Sequence, residues 1–302
     1  MTVAICTRNR ANFLQQAIRS AAEQARNGTE ILVVDNASTD ATPEVAAKLA
    51  AHFPCVKVVR EAELGLSAAR NTALRQGKGT FVIFLDDDAI ALPGWLESYE
   101  QFFRAPPSPR IAGAGGTVIP RYEAPLPAWM PANTGALDLG ESAHAFTDQG
   151  SPYGCNIAFA RELSLEAGGF RTDLGRKGNS LASHEESDLC ERLKKAGYEV
   201  WWVPRAPIEH CIAAERFTVR FQIRSEFAQG RTSALSRLAL RTAGSRLFFR
   251  LGRIVVAPFH FLLCALGGLL LLPIKRARVS MRLFLRAARI AGFAFQLACS
   301  AK

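Results

Sequence analysis

Over the first two hundred residues, short apolar runs alternate with amphipathic stretches. Thr2–Cys6, Glu30–Val34, Val56–Arg60 and Phe81–Leu85 are each of strand length, and the second and fourth have the pattern of buried strands, Phe81–Leu85 on both faces. Between the first two, Phe13, Leu14, Ala17, Ile18 and Ala21 fall on one face of a helix spanning residues 11–25. Thr42 is a good N-cap with Pro43 at the first helical position, opening a helix to about Ala51. Gly65–Leu74 begins another. This βαβαβαβ rhythm predicts an α/β fold with a mostly parallel sheet flanked by helices.

The second half is more broken. Trp95 follows Pro93-Gly94 at a helix start, and Pro106-Pro-Ser-Pro109 interrupts the chain. Ile111–Ile119 reads as a Gly-rich strand. Pro120–Pro131, with four prolines beside Tyr122, Trp129 and Met130, reads as a long loop over a site. Tyr153–Ala160 is another strand. A helix follows from His184 to Gly197, its apolar face made by Leu189, Leu193 and Ala196. Tyr198–Val203 is a strand that stops before Pro204 and Pro207.

The strongest chemical signal is at the end of the Phe81–Leu85 run, where Asp86, Asp87 and Asp88 follow directly. Three adjacent carboxylates repel one another and cannot all be buried unpaired. A solvated acidic turn would not need three of them straight after five core residues. At the carboxyl end of a central strand, where open α/β sheets bind ligands, they point to a divalent cation. Hard oxygen donors suit Mg²⁺ or Mn²⁺, which in turn can hold a diphosphate. A second strand also ends in an aspartate, Asp35, which is either a contact for a base edge or ribose hydroxyl or a turn residue. Glu185, Glu186 and Asp188 share the first turn of a helix, a place that favours acids in any case. His210 acquires a role only if it meets the aspartates in space. GxGxxG and P-loop spacings are absent.

Charge changes the picture of the C-terminus. Of 37 Lys and Arg, 16 lie in residues 216–302 with a single acid, Glu226, so that stretch carries +15 and residues 1–215 carry −5 within the net +10. No nucleic-acid motif accompanies this basic tail, so a nucleic-acid partner is not expected. It is also very apolar: Ile254–Ile274 is 21 residues without a formal charge. That is long enough to span a bilayer, but Pro258, His260, Gly267-Gly268 and basic flanks on both sides favour an in-plane or re-entrant anchor on an anionic membrane surface. Residues 281–299 place Arg282, Arg286 and Arg289 on one side, as an interfacial helix would. The seven cysteines are scattered without a CxxC pair and read as reduced thiols, and no leader precedes Val3, so the first domain is expected in the cytoplasm at the inner membrane face.

Taken in order, Val3-Ala-Ile-Cys-Thr-Arg-Asn-Arg10, Ile31–Asp40, Gly65-Leu-Ser-Ala-Ala-Arg-Asn71, Phe84-Leu-Asp-Asp-Asp88, Gly154-Cys-Asn156, Gly168-Gly-Phe170, Glu185-Glu-Ser-Asp-Leu189 and His210 resemble a family 2 glycosyltransferase of the GT-A fold. The resemblance covers residues 2–215 and implies a Rossmann-like nucleotide-sugar and catalytic domain over 1–215, with 216–302 as a basic helical appendage. It implies that Asp35 binds the nucleobase and Asp86 the ribose side. Thr7, Arg8, Asn9, Arg10, Asn36, Arg70, Asn71, Asp87 and Asn156 complete the donor contacts. Asp88, with Asp86 and His210, would hold Mn²⁺ or Mg²⁺. The general base would come from Glu186, Glu185 or Asp188, the family's usual Glu-Asp pair being Glu185-Glu186 here. The QxxRW signature of processive synthases is missing, so one sugar per encounter is expected, delivered with inversion to a glycan or lipid-linked acceptor in envelope or exopolysaccharide synthesis. A sugar-nucleotide nucleotidyltransferase would want a Gly-rich triphosphate loop, for which Thr7–Arg10 is too short. An inactive membrane scaffold would be expected to have lost its carboxylates.

Overall fold

The computed structural model describes residues 1–147, 150–239, 257, 261–266 and 277–299. Its contacts divide into two compact units. The first comprises Met1–Arg121, Gly135–Thr172 and Glu185–Ile212; the second comprises Tyr122–Thr134, Asp173–His184 and Ala213–Lys302.

The first unit is built on a nine-stranded sheet in the order β3-β2-β1-β4-β8-β6-β9-β5, with β7 paired to β9. Its strands are β1 (Thr2–Thr7), β2 (Glu30–Asp35), β3 (Val56–Arg60), β4 (Phe81–Leu85), β5 (Ala89–Ala91), β6 (Ile111–Tyr122), β7 (His144–Ala145), β8 (Asn156–Ala160) and β9 (Glu199–Ile212). Helices α1 (Ala11–Ala22), α2 (Thr42–His52) and α3 (Leu66–Gln76) connect the first four strands, which pair in parallel. The parallel character ends at β4. β8 runs antiparallel to β4 and β6 antiparallel to β8, so the sheet is mixed. β5 follows β4 after three residues and pairs antiparallel with β9 at the far edge of the sheet. Helices α4 (Trp95–Arg104), α5 (Arg161–Glu166) and α6 (Glu185–Lys195) complete the cover.

Two clusters of buried side chains form the core. One includes Val3, Ile5, Leu14, Ile18, Ile31, Val33 and Ile83; the other includes Ala4, Leu32, Val34, Phe84, Phe159, Phe170, Leu189 and Leu193. Alternate residues of one strand enter different clusters, as strands covered on both sides require.

Two local expectations change. Thr42 is not the cap of α2 but its first residue; its hydroxyl donates to Asp40 and accepts from the Arg10 N–H. β9 does not stop at Val203: it continues through Pro204 and Pro207 to Ile212. Neither proline can donate to a ladder, but both carbonyls are used, Pro204 accepting from Thr117 Oγ1 and Pro207 from the Leu92 N–H.

In the second unit, α7 (Val219–Ala239) and α8 (Ala277–Cys299) pack together, and Ala234, Leu238 and Leu297 are buried where they do so. The two backbones touch. A Cβ on Gly230 would lie 2.0 Å from the Arg289 carbonyl oxygen, and one on Gly292 would lie 1.9 Å from that of Phe227. In the loop segment of this unit, the Tyr122 hydroxyl donates to the carbonyls of Ala132 and Thr134, and its ring meets Phe217 edge-on at 5.9 Å. Most of the apolar run 254–274 lies outside the described residues, and no described helix is long and apolar enough to cross a membrane.

Because the helix pair closes on two glycines, Gly292→Ala is expected to cost roughly 1–3 kcal/mol by forcing the helices apart. Hydrogen exchange should quicken in α7 and α8 and stay unchanged in β1–β4. Unaltered exchange in both helices would remove the glycine contact as their packing determinant.

Candidate active site

The site lies wholly in the first unit, at the carboxyl ends of β1 and β4. The chain leaves β1 for β2 on one side and enters β4 on the other, which opens a crevice between the two strand ends. Thr7 closes β1, and its hydroxyl donates to Asp87 Oδ2 at 2.7 Å. Burial, reinforced by Asp88, pushes the Asp87 carboxyl up to about 7 even against the Thr7 hydrogen bond and Arg10.

His210 reaches the aspartates through strand register. In the β5–β9 pairing Ala89 faces His210, and the Cys211 N–H donates to the Asp88 carbonyl at 2.8 Å. His210 Nε2 lies 3.2 Å from Asp88 Oδ1. One ligand atom from each of Asp86, Asp88 and His210 falls within 4.8 Å of the others. Two carboxylate oxygens and an imidazole nitrogen converging in this way fit Mn²⁺ well and Mg²⁺ less closely.

Behind the aspartates lies Arg70, on α3, with only 2% of its side chain exposed. Its Nη1 donates to Glu185 Oε1 at 2.9 Å; its Nη2 donates to the Gly154 carbonyl at 2.9 Å and to Asp86 Oδ1 at 3.3 Å. The rings of Phe84 and Phe170 cover it, each 5.6 Å away. Burial works against the guanidinium's charge, but Glu185, Asp86 and Glu186 outweigh it and raise its pKa. The same geometry separates the three acids in the first turn of α6. Glu185 is buried, and burial together with Glu186 pushes its carboxyl up to about 8 against the pull of Arg70. Glu186 keeps 18% of its side chain exposed and stands 4.0 Å from Arg70 Nη1. Asp188 is fully buried between Arg171 (3.3 Å) and Arg192 (2.8 Å). These ion pairs anchor α6, and Arg192 donates onward to the carbonyls of Ala167 and Gly169.

Several expected donor contacts have other tasks. Asn156 is fully buried, accepting from Trp95 Nε1 and the Tyr99 hydroxyl and donating to the carbonyls of Thr117 and Ala206, so it ties strands together and cannot touch a ligand. Asn71 brackets Phe170, donating to its carbonyl and accepting from its N–H, both at 2.7 Å. Asn36 donates to the carbonyls of Glu61 and Glu63 and accepts from the Gly65 N–H, fixing the approach to α3. Arg70, closed off on all sides, is likewise not a donor contact. Asn9, at φ 54°, accepts from the Thr39 N–H and so joins the loops after β1 and β2. Arg8 is part-buried and its Nε has no hydrogen-bond partner, while Arg10 lies over the Phe13 ring at 5.4 Å. Asp35 is buried at the end of β2 and accepts from the Ser38 N–H. Sequence reasoning missed Gly154 as the acceptor for Arg70 and Arg171 and Arg192 as holders of Asp188. The four-residue step from Asp188 to Arg192 was the available signal.

Residues 2–129 match the family model described as Glycosyl transferase family 2. Within that stretch, about two fifths of its length, the chain is similar to that family. Among its relatives, the glucosyl-dolichyl phosphate glucuronosyltransferase of Haloferax volcanii is 26% identical over 237 residues, covering 76% of this chain and 75% of that protein. The succinoglycan biosynthesis protein ExoM of Rhizobium meliloti is 26% identical across 96% of this chain and 91% of its own length. The mannosyltransferase PcManGT from Pyrobaculum calidifontis, solved with GDP-Man and Mn²⁺, shares the fold at a TM-score of 0.60 and 20% identity, over 100% of this chain and 75% of that one. These matches support a glycosyltransferase on a GT-A scaffold.

If Asp188 anchors α6, Asp188→Asn should cost about 3 kcal/mol of stability by leaving two arginines short of a counter-charge, measured by denaturant unfolding. Turnover per folded molecule should survive. A variant of wild-type stability without turnover would return Asp188 to the chemistry.

Proposed function

We propose that this glycosyltransferase moves one hexosyl unit per encounter from a nucleoside-diphosphate sugar to a hydroxyl of a glycan or lipid-linked acceptor, with inversion, in cell-envelope or exopolysaccharide synthesis. The observation that carries the reading is the convergence of Asp86, Asp88 and His210 on one cation-sized point, with a part-exposed carboxylate, Glu186, on the far side of Arg70. An acceptor hydroxyl is a weak nucleophile until a carboxylate takes its proton during attack. Of the three acids in the first turn of α6, Glu186 alone is neither buried nor committed to a described hydrogen bond. It is assigned as the base. Asp86, Asp88 and His210 would hold the divalent cation, which supplies charge stabilisation for the departing diphosphate. Base and diphosphate on opposite sides of the sugar make the displacement in-line. Asp35, at the end of β2, is assigned to the nucleobase. The relatives named for a dolichyl-phosphate glycan and for succinoglycan support the acceptor class, and the missing QxxRW motif supports single transfer.

The second unit is assigned to the cytoplasmic membrane surface. In α8, Arg282 and Arg286 are exposed, as are Val279 and Phe295, and α7 exposes Val219 and Ile223 beside Arg220 and Arg224. Basic side chains interleaved with exposed apolar ones suit an anionic lipid headgroup layer.

Two measurements test this. A donor screen by nucleoside-diphosphate release, with and without Mn²⁺, should find cation-dependent turnover, and Glu186→Gln should lower it roughly 10²–10⁴-fold while donor binding persists. Unimpaired transfer by Glu186→Gln would displace the base assignment. For the surface, the full chain should co-float with vesicles containing anionic phospholipid at low salt and bind neutral vesicles more weakly. Equal recovery without vesicles in the soluble fraction would remove the membrane assignment.

A further inference from the structure

We propose that Arg70 is a positioning residue that couples the two halves of the site, so that cation affinity at Asp86 and Asp88 depends on the charge at the start of α6. The inference rests on the cation reading above and extends it to a group that binds neither metal nor substrate. One guanidinium is shared along one edge. Nη2 holds Asp86 Oδ1 and the Gly154 carbonyl, while Nη1 holds Glu185 Oε1 and lies 4.0 Å from Glu186 Oε2. Its faces are closed by Phe84 and Phe170. Position 154 must be glycine for this to fit, since a Cβ there would stand 2.9 Å from Nη2. Water therefore has little access with which to screen the shared charge.

Glu185 depends on this contact. Its Oε1 is held by Arg70, and its other oxygen, buried, has no hydrogen-bond partner. A carboxylate tethered through one oxygen follows its tether. When Glu185 carries its charge, part of the field of Arg70 is spent on it, and Asp86 remains negative enough to ligate a cation. When that charge is lost, Arg70 acts more fully on Asp86 and competes with the cation. The effect is reciprocal by linkage: a cation drawing on Asp86 leaves Arg70 more fully to the glutamates and fixes the first turn of α6, from which Glu186 projects.

The test is Mn²⁺ binding to the full chain without nucleotide, followed by electron paramagnetic resonance of the free ion. Glu185→Gln keeps the size of the side chain and an oxygen for Nη1 but removes the charge, so both proteins are compared above about pH 8, where Glu185 is ionised. It should weaken Mn²⁺ binding by about five- to thirtyfold, although Glu185 is not a ligand. Glu186→Gln, whose carboxylate is farther from Nη1, should weaken it in the same direction by less. In turnover assays, saturating Mn²⁺ should restore the donor KM of Glu185→Gln but not its kcat. If the wild type binds Mn²⁺, Asp88→Asn abolishes binding and Glu185→Gln stays within twofold of wild type, the coupling is wrong and the cation site stands. If the wild type binds no Mn²⁺, the cation reading itself fails and the coupling falls with it.

Discussion

The structure depends on how one buried positive charge is divided among carboxylates that would otherwise repel one another. Asp86, Asp87, Asp88, Glu185 and Glu186 gather at the end of one sheet, and water reaches Asp86 and Glu186 only in part, too little to separate the charges cheaply. Each has a different settlement. Asp87 takes the Thr7 hydroxyl, Asp88 takes His210, and Asp86 and Glu185 share Arg70. Glu186 takes the least. The distribution explains why neighbouring acids in the sequence have separate roles: environment, not residue type, sets what each carboxyl does. It also leaves the cluster with more negative than positive charge, which is the electrostatic condition for recruiting a divalent cation.

The fold is what makes that division reproducible. Parallel pairing of β1 with β4 sets Thr7 beside Asp87, and a short antiparallel turn through β5 lets β9 return His210 to Asp88. Asn156 and Asn71 carry no charge, yet they hold this arrangement in place. Asn156 fastens α4 and three strands around a single amide, and Asn71 fixes the backbone of Phe170, whose ring forms one wall of the Arg70 enclosure. Gly169, at φ 65°, sits where a Cβ would be 2.5 Å from Asn71 Oδ1, so the turn before Phe170 and the asparagine that grips it are mutually required.

Much of this was legible in the order of residues, and the gaps have physical causes. β4 appears with the bounds that its apolar run predicts, because a strand buried on both faces must be apolar throughout; β3 also has its expected bounds, although at the sheet edge it leaves Lys57, Val58 and Arg60 exposed. The second half of β9 was hidden by Pro204 and Pro207, which read as strand breakers; they are tolerated because their carbonyls accept side-chain and loop donors. The approach of His210 to Asp88 depends on the register of strands more than a hundred residues apart, which no local pattern carries. The asparagines of the matched motifs were misplaced for a related reason. A motif says that a residue is needed near a site, and does not say whether it faces the ligand or the scaffold.

The choice among Glu185, Glu186 and Asp188 was open to sequence geometry alone. On a helix, residues two apart lie about 200° from each other, whereas residues three apart share a face. Glu185 and Asp188 must then point the same way, and Leu189 and Leu193 show that this way is inward. Two buried carboxylates on one face need cations, and α6 supplies one of them itself, Arg192, while Arg70 arrives from α3. Glu186 is left on the outer side of the same turn, part-exposed. Adjacent glutamates of the same chemistry are thus driven to different surroundings by a rotation of about 100°, one held against the buried guanidinium and the other left part-exposed.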